Sequence, residues 1–141
     1  MEFELIQGRV HYLGLSLFHT ANGAYTGNIL ATEAAKREML SHYLPLDLVD
    51  RVKDRIESIL PDNPVLQSFT LPFGVDMMVV TNSQSSDFKL HPCVEVNLRR
   101  TMGHVAINLT RRVNPEEDDD IRKVMRIAYE NKRYMLKINN L

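Results

Sequence analysis

The sequence predicts an α+β protein, an antiparallel sheet covered by helices, as a single domain over residues 1–141. Three observations predict it. Strand-like alternation runs through 8–19, 74–81 and 88–99. Apolar residues recur at helical spacing over 32–43, 45–60 and 101–112. The polar cluster Asn82–Asp87 between two of the strands reads as a hairpin turn, which makes those neighbours antiparallel. A chain of 141 residues is long enough to bury a core.

Composition narrows the function classes. With 44% hydrophobic residues, 25% charged residues and a net charge of −1, nothing draws the chain toward nucleic acid or a membrane surface. A lone cysteine, Cys93, excludes an internal disulfide and fits a reducing compartment, so the expected location is the cytoplasm. Met1-Glu2-Phe3-Glu4 lacks the basic and apolar regions of a secretory leader, and no apolar run approaches the roughly 20 residues of a membrane span. Cys93 itself reads as a small, semi-buried filler.

Residues 8–19 read as one strand, apolar on both faces and so covered on both sides, with His11 a core or edge histidine and not a metal ligand. Thr20–Asn28 is turn-rich, Asn22-Gly23 being its strongest signal. It reads as a hairpin turn, with Tyr25 and Asn28 as candidates should the segment close over a ligand. Thr32 caps a helix through Tyr43, with Ala35, Met39, Leu40 and Tyr43 inward. Pro45 starts the next helix, whose stripe is Leu48, Val49, Val52, Ile56, Ile59 and Leu60, and Pro61–Pro64 ends it. Thr101 caps a third, with Met102, Val105, Ala106 and Leu109 inward and Arg111 and Arg112 at the end that favours cations. Asn114-Pro115-Glu116-Glu117 reads as a fourth helix start, with Ile121, Val124, Met125, Ala128 and Tyr129 as its buried stripe and Glu116–Asp120 matched to its dipole. Residues 134–139 alternate as a short final strand.

The chemistry concentrates in Pro92–Gly103. Alternation puts Val94, Val96 and Leu98 on one side, expected to face a core, and Glu95, Asn97 and Arg99 on the other. Packing does not need that polar row. A hard cation and an anion would satisfy it, because magnesium takes oxygen ligands and guanidinium holds phosphate. Thr101 then delivers the row to a helix N-terminus, where free N–H groups favour an anion, and Gly103 lets another group come close. Asp76 is conspicuous inside a strand. A tight turn at Ser85-Ser86 would set Asp76 opposite Glu95. A six-residue loop would set it opposite Cys93 with Glu95 on the diagonal. Either register puts Asp76, Glu95 and Asn97 on one face, and a bulge between them would undo that. The plainer alternative is a surface hairpin whose carboxylates meet water, Arg99 or Arg100.

The strand pair Gly74–Val79 and Pro92–Arg99 resembles the end of the ATP-grasp fold, where an acidic residue on one strand faces Glu-x-Asn on its antiparallel neighbour, often followed by arginine. With Arg99-Arg100-Thr101-Met102-Gly103 it is similar to uncharacterised bacterial ATP-grasp proteins of the carboxylate–amine ligase type. The resemblance implies the C-terminal subdomain of that fold, with Mg2+ and ATP as cofactors. It implies Asp76, Glu95 and Asn97 as metal ligands, Arg99 as the catalytic contact to phosphate, and Arg99, Arg100 and Asn97 as nucleotide-binding residues. The implied reaction joins a carboxylate to an amine or thiol through an acyl phosphate. The phosphate-binding lysines, glycine-rich flap and adenine hinge of the family's first half are not recognisable. An N-terminal ATP-grasp half or a partner chain is therefore expected, and the isolated chain is expected to be inactive. A homo-oligomer is compatible with this, whereas nucleic acid and membrane are not expected partners. Two other readings compete. One is a non-catalytic assembly or regulatory module. The other is a metal-dependent nuclease, which the asparagine at 97 in place of a water-activating lysine disfavours.

Overall fold

The computed structural model describes residues 1–59, 66–82 and 85–141. Among these residues, eight strands and three α-helices form an α+β architecture with two antiparallel four-stranded sheets, not one. The strands are β1 (Glu2–Ile6), β2 (Arg9–Gly14), β3 (Phe18–Ala21), β4 (Ala24–Leu30), β5 (Thr70–Asn82), β6 (Ser85–Asn97), β7 (Lys123–Glu130) and β8 (Arg133–Asn140). The helices are α1 (Glu33–Ser41), α2 (Leu46–Ser58) and α3 (Met102–Val113). The first sheet has the order β2-β1-β5-β6 and the second β3-β4-β7-β8.

Tight turns set this topology. Gln7 and Gly8, Asn22 and Gly23, and Asn131 and Lys132 all have positive φ, the backbone hand that matches the twist of paired strands. The Asn22-Gly23 turn falls where the sequence places it. The expected strand over 8–19 is really two, β2 and β3, one in each sheet, and His11 is exposed on β2 at the edge of the first sheet.

On one face of the first sheet Phe3 stacks on Phe73 at 5.3 Å and meets Tyr12 edge-on at 5.5 Å. Leu5, Val10 and Val75 complete that core with Val49 of α2. Helix α3 lies between the sheets. Its His104 reaches the Phe3 carbonyl of β1, while Ala106 packs with Leu30 and Met125 of the second sheet. Thr32 and Thr101 cap their helices as expected, each accepting from backbone N–H groups of the first turn.

Several expectations are corrected. Residues 123–130 form β7 and not a fourth helix. Asn114 folds its side chain onto the Asp118 backbone, donating to the carbonyl at 2.7 Å and accepting from the N–H at 3.0 Å, which closes a turn in place of a helix start. Val94, Val96 and Leu98 do not face a core. They are 51%, 49% and 66% exposed because β6 is an edge strand whose apolar side is uncovered. Cys93 is exposed, not semi-buried. Tyr43 points outward and rests edge-on against Phe88 at 5.0 Å, and Ile59 is exposed. Leu60 and Pro61–Pro64 lie outside the described residues.

Candidate metal and phosphate site

Asp76 pairs directly with Glu95, and Gly74 with Asn97. Directly paired residues share a face, so the predicted convergence is present. The route to it differs from the expected one. Asn82 pairs with Ser85, and the register then shifts twice before reaching Asp76. One shift lies between the Met78–His91 and Asp76–Glu95 pairs, where β6 carries the extra residues and Pro92 supplies no N–H to a ladder. The irregularities stop just short of Asp76, which leaves the three pairs 76–95, 75–96 and 74–97 in regular register.

These residues open onto a pocket of about 220 Å3 that Asp76, Glu95, Asn97, Arg99 and the start of α3 help to line. Asn97 donates its amide NH2 to Asp76 at 3.2 Å and accepts from Arg99 at 3.1 Å. The polar row is thus one chain of contacts: carboxylate, amide, guanidinium. Arg100 is exposed and not part of the lining. Turning the Asn97 amide over would aim its oxygen where the NH2 meets Asp76, so the donor set of two carboxylates and one amide oxygen suits a hard cation. Among the described residues no three His, Cys, Asp or Glu side chains gather as a ready-made metal cluster, and the expected set contains only two such groups.

Another part of the same lining holds residues that the sequence reading missed or only flagged, and Glu2 shares the face of Asn97 and Asp76. Glu2 is 3% exposed. It sits on β1 across from Gly74, and an added Cβ there would come within 2.8 Å of its carboxylate. Gly103 does the same from α3: a Cβ would fall 1.9 Å from Glu2 Oε1 and 2.6 Å from Ser16 Oγ. The close approach expected at Gly103 is therefore made by the protein's own carboxylate. Glu2 Oε2 accepts from the Thr101 hydroxyl at 2.8 Å and meets His104 Nδ1 at 2.8 Å. His104 Nε2 faces the Phe3 carbonyl at 3.2 Å; a carbonyl only accepts, so Nε2 carries a proton. Nδ1 also accepts from the Thr101 backbone N–H at 3.2 Å. Burial pushes the Glu2 carboxyl above its ordinary range, against the opposing pull of Thr101 and His104.

The flagged residues also belong to this part of the lining. Tyr25 donates its hydroxyl to Asn28 Oδ1, and Asn28 donates its amide to Ser16 Oγ at 2.7 Å. Asn28 is 1% exposed and Phe18 lies beside Tyr25 with ring centroids 6.4 Å apart. Burial raises the Tyr25 phenol.

A larger cavity, of about 450 Å3, lies beside the start of α1. Two of its charged groups are committed to the fold: Lys36 donates to the Leu15 carbonyl at 2.6 Å, and Glu33 accepts from the Tyr12 hydroxyl at 2.6 Å and the Leu15 N–H at 2.9 Å.

No family model, curated protein or solved structure matches the chain. Among the described residues no helix is long and apolar enough to cross a membrane.

Proposed function

We propose that the chain is the Mg2+- and ATP-binding half of a cytoplasmic ATP-dependent carboxylate–amine or carboxylate–thiol ligase of the ATP-grasp type, acting with a second half or a partner chain. The observation that supports this best is the direct pairing of Asp76 with Glu95 in one pocket with Asn97, Arg99 and the start of α3. Two carboxylates facing each other across a hairpin repel, and a divalent cation between them turns that repulsion into attraction. When bound, Mg2+ offsets phosphate charge while ATP gives its terminal phosphoryl group to a substrate carboxylate, from which the amine or thiol then displaces phosphate.

The chain's own groups have plain parts in this. Arg99 is the cation that faces phosphate oxygen, and it is released for that role when the Asn97 amide turns its oxygen away from it. The uncovered apolar row Val94, Val96 and Leu98 supports a second half, a partner chain or another copy lying against β6.

The test uses Mn2+ as a paramagnetic stand-in. Nuclear magnetic resonance of the chain should show selective broadening at Asp76, Glu95 and Asn97 that disappears in Asp76→Asn and Glu95→Gln. ATP added with Mg2+ should raise the melting temperature by linkage. Broadening confined to the acidic run 116–120, with none at Asp76, would sink the reading.

A further inference from the structure

Glu2 is a charge that packing does not require. Its Oε2 is held by Thr101 and His104, but Oε1 accepts no hydrogen bond among the described residues. Every side-chain nitrogen or oxygen sealed from solvent there has a partner, so Oε1 must open to the pocket that Glu2 lines. A side chain 3% exposed thus presents one oxygen to a ligand.

The groups beside it share that polarity. The hydroxyl proton of Tyr25 is committed to Asn28, so its oxygen can only accept. Ser16 Oγ reaches toward the same point as Glu2 Oε1, since the Cβ that Gly103 lacks would strike both. Phe18 and Tyr25 add two aromatic rings to the lining. A buried carboxylate, oxygen acceptors and aromatic rings together suit a cation that carries N–H donors. A metal ion is the poorer fit, because no third Asp, Glu, His or Cys gathers with Glu2 among the described residues. An anion is repelled.

We propose that this part of the pocket binds the ammonium group of a primary amine, with Glu2 as its counter-ion and Ser16 and Tyr25 as acceptors. The inference deepens the ligase reading and rests on it for one point only, that the bound amine is the substrate which displaces phosphate. Arg99 faces the anionic substrate, and Glu2 faces the cationic one. The charged and titratable groups facing Glu2 are His104 of α3, Asp76 of β5 and the Met1 amine.

The experiment is a resonance titration of the whole chain at constant ionic strength with ethylammonium chloride, with tetramethylammonium chloride as a cation lacking N–H. Ethylammonium should shift the signals of Glu2, Ser16 and Tyr25 saturably, and tetramethylammonium should bind about tenfold more weakly or worse. Glu2→Gln should weaken ethylammonium about tenfold or more, and Ser16→Ala, which leaves the Glu2–Thr101–His104 contacts intact, should weaken it severalfold. Equal response to the two cations, no saturable shift at Glu2, or unchanged affinity in both variants overturns the proposal. Should Glu2→Gln not fold, Ser16→Ala and the cation pair decide alone. Mn2+ broadening at Asp76 and Glu95 is read separately. Its loss with ethylammonium binding intact refutes the ligase reading alone, and the reverse refutes this inference alone.

Discussion

Gly103→Ala is the sharpest test of how the pocket is built. In an ordinary helix the change gains about 1 kcal/mol. Here the new methyl would fall 1.9 Å from Glu2 Oε1 and 2.6 Å from Ser16 Oγ. The serine hydroxyl can rotate away. The carboxylate has less freedom, since Oε2 is held at 2.8 Å by both Thr101 and His104. Displacing it forfeits one or both contacts, and hydrogen bonds to charged groups are worth about 1.5–3 kcal/mol each. Against the helix gain, the net cost is about 2 kcal/mol, a fall of about 4–8 °C in melting temperature for a domain of this size. Thermal and urea denaturation of Gly103→Ala should be compared with the same change made in a Glu2→Ala background. Without the carboxylate the methyl meets open space and a movable hydroxyl, so the second comparison should be neutral or stabilising. An equal loss in both backgrounds would refute the argument that Glu2 is what Gly103 accommodates.

Thr101→Ala should cost about 1–2 kcal/mol in urea denaturation, because Thr101 accepts from the Gly103 and His104 N–H groups and donates to Glu2; Thr101→Ser should recover most of it. Burial raises the Glu2 carboxyl above its ordinary 4.5, so its proton favours the folded state; that contribution is complete below pH 4.5 and fades as pH rises through the folded value. Relative to Glu2→Gln, which cannot ionise, the wild type should therefore lose stability as pH rises from 4.5 toward neutrality, and a parallel pair of pH–stability curves would contradict this. Val96→Thr and Leu98→Thr should each change stability by no more than about 0.5 kcal/mol, since both positions are exposed; a loss of about 2 kcal/mol in denaturant would show them covered.

What the sequence makes legible is local. Alternation in Val94–Arg99 assigns the faces correctly, and the cap at Thr101 is read from a few neighbouring residues. What covers those faces is not local, and Val94, Val96 and Leu98 remain about half exposed or more. The Asp76–Glu95 pairing comes out as one of the two expected registers although Ser85 pairs with Asn82, because two offsets that alternation cannot reveal compensate for it. In 121–129 both periods fit: Val124, Met125, Ala128 and Tyr129 satisfy helical spacing, and Met125, Ile127 and Tyr129 satisfy alternation. The deciding signal is the Asn131-Lys132 turn, which folds β8 back onto β7. Glu2 escapes because its partners are 99 and 102 residues away, and its alternation with Phe3, Glu4 and Leu5 gives no hint of burial. Its trace is indirect, in the two glycines that make room for it, Gly74 and Gly103.

The hairpin of β5 and β6 outruns the sheet it belongs to. β1 accompanies β5 only from Thr70 to Gly74, with Met1 adding a last backbone pair at Val75, and from Asp76 onward β5 has β6 alone for company. Asp76 and Glu95 thus ride on the free arm, while Gly74, Asn97 and Glu2 belong to its anchored root. Any swing of that arm carries both carboxylates as one unit, preserving their spacing while altering their distance from Glu2 and Thr101. The fold thereby separates two distances: the spacing of the two carboxylates is fixed by a strand pair, and their distance from Glu2 depends on where β1 stops accompanying β5.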